Sequence, residues 1–167
     1  MVEYVLAHYP GEKIALIGTK RTVESQAYEK KIRKSDPSIK LKSVAAPLLV
    51  PMIEEGFFNN KISHDIIDEY LSNPAFRNIQ ALILGCTHYP LIKKQIDEYF
   101  KSKVAILDSS EIVAIHLKNE LTRHGLAGKQ KKGEDHFLVS DYTKSFELSA
   151  ALFFHEKIKL ELYKLWE

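Results

Sequence analysis

The residues best suited to chemistry lie in one short segment, residues 85–90 (GCTHYP), which contains the single cysteine of the sequence. A thiolate is a base and a nucleophile, and backbone amides at the start of a helix favour it over the thiol. His88 can stabilise a Cys86 thiolate or act as an acid or base near neutral pH. Thr87 and free backbone amides can hold a substrate carboxylate. A cysteine by itself is more often a structural core residue, but the glycine before it and the Thr-His pair after it favour a functional site.

Other common kinds of site are not indicated by the sequence. The remaining histidines are scattered singly, and none forms a ligand pair at a spacing typical of zinc sites. With one cysteine the chain can form neither an internal disulfide nor a four-cysteine zinc centre. No Gly-x-Gly-x-x-Gly motif follows a strand, and no P-loop motif occurs. We therefore expect no metal ion, no dinucleotide and no P-loop nucleotide.

Hydroxyl and carboxylate side chains elsewhere have two interpretations each. Thr19 and Thr22 follow an apolar run; helix capping explains one of them, with Thr22 as the expected N-cap, and carboxylate binding is the alternative. The two serines at 109–110 have the same ambiguity. Glu54 would ordinarily lie on a solvated helix face, but beside the cysteine segment it could recognise a substrate ammonium or tune an acid or base. Spacing along the sequence leaves these alternatives open.

Alternating strand and helix patterns are expected to position these residues. Short apolar runs predict strands, at residues 13–18, 41–46, 81–84 and 103–107. Amphipathic spacing predicts helices between them, at residues 2–9, 22–34, 63–72 (capped by Ser63), 90–100 and 111–123. The alternation is typical of an α/β fold with a parallel sheet and right-handed crossovers. Ligands bind such sheets at the carboxyl ends of the strands, where the threonines, the cysteine segment and the serines all fall.

The C-terminal part of the sequence is less regular. Residues 125–133 (GLAGKQKKG) predict a basic, solvated turn rather than a phosphate site. Beyond it we expect a strand at 137–139 and a helix at 143–154. The spacing of Ile158, Leu162 and Leu165 predicts one more helix within residues 157–166.

Length and composition restrict the class of protein. With 45% hydrophobic residues, the 167-residue chain can build a packed core. Its 24 basic and 22 acidic residues nearly cancel, which argues against a nucleic-acid binder that works by electrostatics. No apolar run is long enough to span a bilayer, and the first nine residues lack the basic start of a signal peptide. The sequence predicts a soluble, cytoplasmic protein that binds neither nucleic acid nor membrane.

Four collinear stretches resemble a known family. Residues 81–92 (ALILGCTHYPLI) resemble the second catalytic-cysteine motif of the bacterial glutamate racemases, in the aspartate/glutamate racemase family. Residues 16–28 (LIGTKRTVESQAY), 46–56 (APLLVPMIEEG) and 107–109 (LDS) are similar to further segments of that family, in the same order. The hexapeptide GCTHYP is highly specific, and the other stretches are individually weak.

The resemblance implies cofactor-free racemisation of glutamate, which supplies D-glutamate for peptidoglycan. The fold it implies is a parallel-sheet, three-layer α/β domain, one of two pseudo-symmetric domains with a cysteine on each side of the active site between them. Cys86 would be one proton donor and acceptor, and His88 and Glu54 would be catalytic residues beside it. The substrate would contact Thr87, Thr19 and Thr22.

Two motifs that the family carries in its first domain, Asp-Ser-Gly-Val-Gly-Gly and Ala-Cys-Asn-Thr-Ala, do not occur in the sequence. The resemblance therefore implies that residues 1–107 form the second α/β domain and that residues 108–167 return to an absent first domain. Inversion at Cα by proton transfer needs a base on one face and an acid on the other. One thiol serves one face, so we expect these residues to be inactive as a racemase by themselves.

Two alternatives stay open. A racemase of another acidic amino acid would share the two-cysteine chemistry, and pocket residues would discriminate between the substrates. Outside enzymes, the alternative is a non-catalytic truncated domain, alone or paired with a partner that supplies the other half. A homodimer is one form that such pairing could take.

Overall fold

The computed structural model describes residues 1–57, 60–128, 133–154 and 156–165. Strands and helices alternate through most of it. The strands are β1 (Lys13–Gly18), β2 (Lys40–Ala45), β3 (Ala81–Gly85), β4 (Ala105–Asp108), β5 (Phe137–Val139) and β6 (Leu160–Leu162). The α-helices are α1 (Val2–His8), α2 (Lys20–Ser25), α3 (Ala27–Ser35), α4 (Leu49–Glu54), α5 (Lys61–Leu71), α6 (Lys93–Tyr99), α7 (Ser109–Arg123) and α8 (Lys144–Phe154). Two 3₁₀-helices span Pro74–Phe76 and Tyr89–Ile92.

The main sheet has four parallel strands in the order β2-β1-β3-β4. This confirms the predicted α/β class with a parallel sheet. The register pairs Gly18 of β1 with Gly85 of β3, and Leu84 of β3 with Asp108 of β4. The carboxyl ends of β1, β3 and β4 therefore meet at one edge of the sheet, where the sequence places its candidate residues.

Both faces of the sheet are covered, which explains the continuous apolar runs of β1 and β3. Alternate residues of a strand point to opposite faces, so each strand contributes to two cores. Ala15 and Leu82 belong to a core with α4, α5 and α6. Ile14 and Ile83 belong to a second core with α1 and α3, against which α7 also packs. These layers hold the strand ends in fixed register.

Two predicted helix caps are wrong, and for the same reason. Thr19, not Thr22, caps α2, and Asn60, not Ser63, caps α5. In both cases the predicted residue is three positions inside the helix, where its backbone N–H donates to the true cap over 3.2 Å and 3.0 Å. In α5 the two residues form a capping box, because the Asn60 N–H also donates to the Ser63 hydroxyl. A hydroxyl at the third position of a helix therefore resembles a cap in sequence. The predicted helix 22–34 is also interrupted, because Gln26 adopts a left-handed conformation (φ 53°).

The segment after Cys86 differs from the prediction as well. A short 3₁₀-helix (Tyr89–Ile92) follows the cysteine, and α6 begins only at Lys93. Cys86 is therefore not at the N-terminus of an α-helix, as its sequence context suggested. Tyr99, the last residue of α6, is 36% exposed.

The C-terminal part holds a second, two-stranded parallel sheet of β5 and β6, with α8 between them. The helix predicted within residues 157–166 is wrong, since Leu160–Leu162 pairs with Phe137–Val139 and this pairing outweighs a weak helical spacing. Residues 129–132 of the predicted basic turn and residue 166 lie outside the described residues. In the described part of the chain, no helix is both long and apolar enough to cross a membrane.

Candidate active site

Cys86 lies directly after β3, whose residues 81–84 are fully buried. The residue before it, Gly85, is packed so closely against β1 that a Cβ atom there would lie 3.0 Å from the carbonyl oxygen of Ile17. A larger residue at this strand end would push against the backbone of β1, which glycine avoids. The tight packing fixes the point at which the chain leaves the sheet, and with it the position of the half-buried Cys86.

His88 lies between a thiol and a carboxylate. Its Nδ1 atom is 3.9 Å from the Sγ atom of Cys86, and its Nε2 atom is 3.1 Å from Oε1 of Glu54, the last residue of α4. The structure thus brings the three predicted catalytic residues together in one line of contacts. Sequence spacing left the position of Glu54 open, because only the packing of α4 against the 3₁₀-helix Tyr89–Ile92, which follows His88, decides it.

Tyr89 fixes the same segment to the interior of the protein. Its side chain is fully buried, and its hydroxyl donates a 3.0 Å hydrogen bond to the carbonyl of Ala46, which follows β2. Burial raises the pKa of the Tyr89 phenol above its ordinary value, and negative charge on Cys86 adds to the effect. The phenol stays a protonated donor and ties the cysteine segment to the connection that leads into α4. This contact helps to place Glu54 beside His88.

Thr19 and Thr22 form a short chain of hydrogen bonds that ends on the strand before Cys86. Their hydroxyl oxygens are 3.0 Å apart, and the Thr22 hydroxyl donates to the Gly85 carbonyl over 3.3 Å. A hydroxyl has one proton, so the Thr19 hydroxyl must be the donor to Thr22. The structure brings both threonines close to the cysteine segment, as supports of its backbone.

The end of β4 completes this edge of the sheet. The Ser109 hydroxyl donates a 3.1 Å hydrogen bond to the Leu84 carbonyl, and the buried Asp108 caps α7 through the N–H of Ser110 at 2.8 Å. Helix capping thus explains the position of the aspartate. Ser109 joins the start of α7 to the strand that precedes Cys86, whereas Ser110 bonds to Asp108.

An open groove of about 1330 Å³ lies along these strand ends. Its described lining includes Cys86, Thr87, Leu91, Asp108, Ser109, Ser110 and Phe153. Lys93 and Glu111 also line it and form an ion pair of 2.7 Å between α6 and α7. Among the described lining residues, Cys86 and Thr87 are the predicted site residues. Of the other predicted site residues, His88 contacts Cys86 and Glu54 contacts His88. Thr22 contacts the Gly85 carbonyl, and Thr19 contacts Thr22.

Phe153 of α8 is a site residue that sequence reasoning missed. Its ring packs edge-to-face on the His88 imidazole, with centroids 5.9 Å apart and an interplanar angle of 74°. The sequence holds no local signal for this contact, because a Phe-Phe pair in an amphipathic helix is typical of core packing. Within the residues that the structure describes, no three His, Cys, Asp or Glu side chains are grouped as metal ligands.

Comparison with known proteins identifies the family. Residues 1–117 match the family described as Asp/Glu/Hydantoin racemase. The chain belongs to this family. The match covers all of the main sheet and α7 as far as residue 117, and so includes Cys86, His88 and Glu54.

Relatives and solved structures of this racemase family agree with the match. The chain is 37% identical to glutamate racemase of Chlorobaculum parvum over 142 residues, which are 84% of this chain and 52% of the relative. It is 36% identical to that of Thermoanaerobacter sp. over 152 residues, 91% of this chain and 58% of the relative. The crystal structure of glutamate racemase from Francisella tularensis in complex with D-glutamate has a TM-score of 0.84 at 35% identity, covering 97% of this chain and 60% of that one. The chain thus spans little more than half the length of the relatives it matches.

Proposed function

We propose that this chain contributes one of the two proton-transfer faces of a cofactor-independent glutamate racemase. The observation that carries the proposal is the line Glu54–His88–Cys86 beside a groove at the carboxyl ends of the strands. The glutamate racemases among its relatives, at 36–37% identity, support glutamate as the substrate. D-Glutamate formed in this way would serve peptidoglycan synthesis in the cytoplasm.

The hydrogen bonds of His88 favour one tautomer for this role. An ionised Glu54 accepts only, so the nearer ring nitrogen, Nε2, carries the proton. In the neutral imidazole Nδ1 then has a lone pair, which faces the Cys86 sulfur. Transfer of the thiol proton to Nδ1 creates a thiolate beside an imidazolium that Glu54 stabilises. His88 would thus generate the base, and Glu54 would orient His88.

In the proposed reaction the Cys86 thiolate removes the proton from Cα of glutamate. The Cα–H bond breaks, its electron pair moves toward the α-carboxylate, and the S–H bond forms. An acid on the opposite face of Cα then returns a proton, which inverts the centre. In the reverse direction Cys86 is the acid that returns the proton.

Substrate binding is proposed to involve the side of the groove nearest the thiol. Thr87 is exposed next to Cys86 and can contact the substrate α-carboxylate. Thr19 and Thr22, predicted as substrate contacts, hold the Gly85 carbonyl in this structure and would contribute through that support.

We also propose the division into a domain of residues 1–107 and a returning segment of residues 108–167. The family description includes aspartate, so another acidic amino acid is the second candidate substrate.

Deuterium exchange at Cα tests this proposal. One thiol on one face should exchange the α-proton of one glutamate enantiomer in D₂O and leave the other unchanged, as followed by proton NMR. The Cys86→Ser variant is the control, because it keeps the size of the side chain and removes the basic group. Faster exchange of aspartate than of glutamate would favour the second substrate. Exchange that survives in Cys86→Ser, or its absence for every substrate, would contradict a role of Cys86 in proton transfer.

A further inference from the structure

Phe153 connects the C-terminal part of the chain to the cysteine segment. It comes from α8, beyond the main sheet, and its ring contacts the imidazole of His88. Among the described residues that line the groove, it is the one contributed by the β5–α8–β6 part. Its neighbour Phe154 packs instead against Phe137 of β5, with centroids 4.9 Å apart. The two adjacent phenylalanines thus serve different surfaces.

The two contacts of His88 require one particular orientation of its ring. Nε2 must reach Glu54 while Nδ1 faces the Cys86 sulfur, and at 3.9 Å the second contact is near the limit for a hydrogen bond to sulfur. Rotation of the imidazole about its Cβ–Cγ bond would break both contacts at once. This bond joins sp³ and sp² atoms, and such torsions have broad minima that local packing must narrow. An aromatic ring packed edge-to-face on the imidazole supplies that restriction.

We infer that Phe153 is a positioning residue. It holds the His88 ring in the orientation in which Nε2 contacts Glu54 and Nδ1 faces the Cys86 sulfur. The inference rests on the proposed role of the Cys86–His88 pair and adds to it a contribution from outside the main sheet. Phe153 does not take part in proton transfer. It acts through His88, so its effect on the thiol must depend on the presence of that imidazole.

A double-mutant cycle on the full 167-residue chain tests this dependence. The rate of Cys86 alkylation by iodoacetamide at neutral pH is measured for the wild type, Phe153→Leu, His88→Asn and the double variant. His88→Asn should slow alkylation about tenfold. A tenfold change corresponds to about the free energy of one hydrogen bond to a charged group. Phe153→Leu should slow it less, and the double variant should be no slower than His88→Asn. The factor by which Phe153→Leu slows alkylation should be at least about threefold smaller in the His88→Asn background than in the wild type.

The cycle separates positioning from simple shielding of the thiol. If Phe153 only limits access of the reagent, its removal changes the rate by the same factor in both backgrounds, and the inference is overturned. Phe153→Trp should keep the coupling, because another aromatic ring can pack on the imidazole. Phe146→Leu is the matched control, since Phe146 lies on the same helix at 50% exposure against 41% for Phe153. It should alkylate at the wild-type rate, and the two leucine variants should have similar circular dichroism spectra and melting temperatures.

The outcomes also distinguish this inference from the proposed function. If the alkylation cycle shows no coupling but α-proton exchange is normal, Phe153 has no positioning role and the proton-transfer role of Cys86 stands. Coupling without exchange removes the proposed reaction and leaves Phe153 as the residue that orients His88. If His88→Asn does not change the alkylation rate, the thiol does not depend on the imidazole, and the inference about Phe153 also fails.

Discussion

The hydroxyls of Thr19 and Thr22 have one proton each, and in this structure both protons are used within the protein. The Thr19 proton goes to Thr22, and the Thr22 proton goes to the Gly85 carbonyl. A substrate carboxylate would have to compete with that carbonyl for the Thr22 proton. Oxygen lone pairs, in contrast, can still accept from a substrate ammonium. At this scale the threonines support the backbone that carries Cys86.

Tyr89 provides a test of the anchor beneath the cysteine segment. Tyr89→Phe should lower the free energy of unfolding at pH 7 by about 1 kcal/mol, because the Ala46 carbonyl loses one of its donors and keeps the Leu49 N–H. The pKa of this phenol is raised in the folded chain, so above about pH 10 the unfolded state releases a proton that the folded state retains. The stabilising contribution is complete below pH 10 and declines as the pH rises further. The difference between wild type and Tyr89→Phe should therefore narrow above pH 10.

Urea denaturation at a series of pH values measures this difference. Tyr163→Phe is the control for loss of one phenol, because Tyr163 is exposed. A gap between wild type and Tyr89→Phe that stays constant from pH 7 to about pH 11 would show that burial does not hold the Tyr89 proton.

At the scale of elements, the site depends on how closely β1 and β3 approach at their carboxyl ends. Gly18 and Gly85 are paired in the register of these strands. A Cβ at Gly18 would meet the Thr22 side chain at 3.2 Å, whereas a Cβ at Gly85 would meet the backbone oxygen of Ile17 at 3.0 Å. A side chain can move a few tenths of an ångström, but a strand carbonyl in a four-stranded sheet cannot move without disturbing the ladder.

The paired glycines therefore predict an asymmetry. Gly85→Ala should destabilise the chain by about 1–3 kcal/mol, as insertions into a packed core do. Gly18→Ala should cost less and serves as the matched control. Chemical denaturation of both variants measures the difference in the free energy of unfolding. Equal costs, or a larger cost at Gly18, would mean that the strand ends adjust more freely than their spacing implies.

At the scale of the whole molecule, the apolar surface is unevenly distributed. The main sheet is covered on both faces, but α7 exposes apolar side chains, among them Val113, Ile115 and Leu117. The described residues of α7 include none that is buried. The C-terminal part also has apolar residues that are at least half exposed, among them Leu138, Phe146 and Leu162. The buried core thus lies around the main sheet, and exposed apolar side chains gather on α7 and the C-terminal part.

The whole-molecule prediction concerns the reaction itself. A polypeptide of these 167 residues should not interconvert L- and D-glutamate, because it contains one thiol and inversion needs groups on both faces of Cα. The measurement is circular dichroism of L-glutamate during incubation with the purified chain, beside a full-length glutamate racemase as positive control. Loss of optical activity that disappears in Cys86→Ser would contradict the prediction. A second copy of Cys86 or another residue would then have to serve the opposite face.

The sequence by itself determined the class of fold and the segment for which we propose the chemistry. Apolar runs such as residues 81–84 reflect burial on both faces of a sheet, which is a local property of the chain. The hexapeptide at 85–90 likewise marked the thiol and the imidazole. These conclusions needed only composition, periodicity and a short motif, because each depends on residues that are neighbours in sequence.

Only the tertiary structure decided which distant residues join that segment. Glu54 reaches His88 because α4 packs against the 3₁₀-helix that follows His88. Phe153 reaches it because α8 lies over the groove. The strand Leu160–Leu162 forms for a similar reason, since its partner β5 outweighs its own helical spacing. Contacts between residues far apart in the chain depend on the packing of whole elements, and no local pattern encodes it.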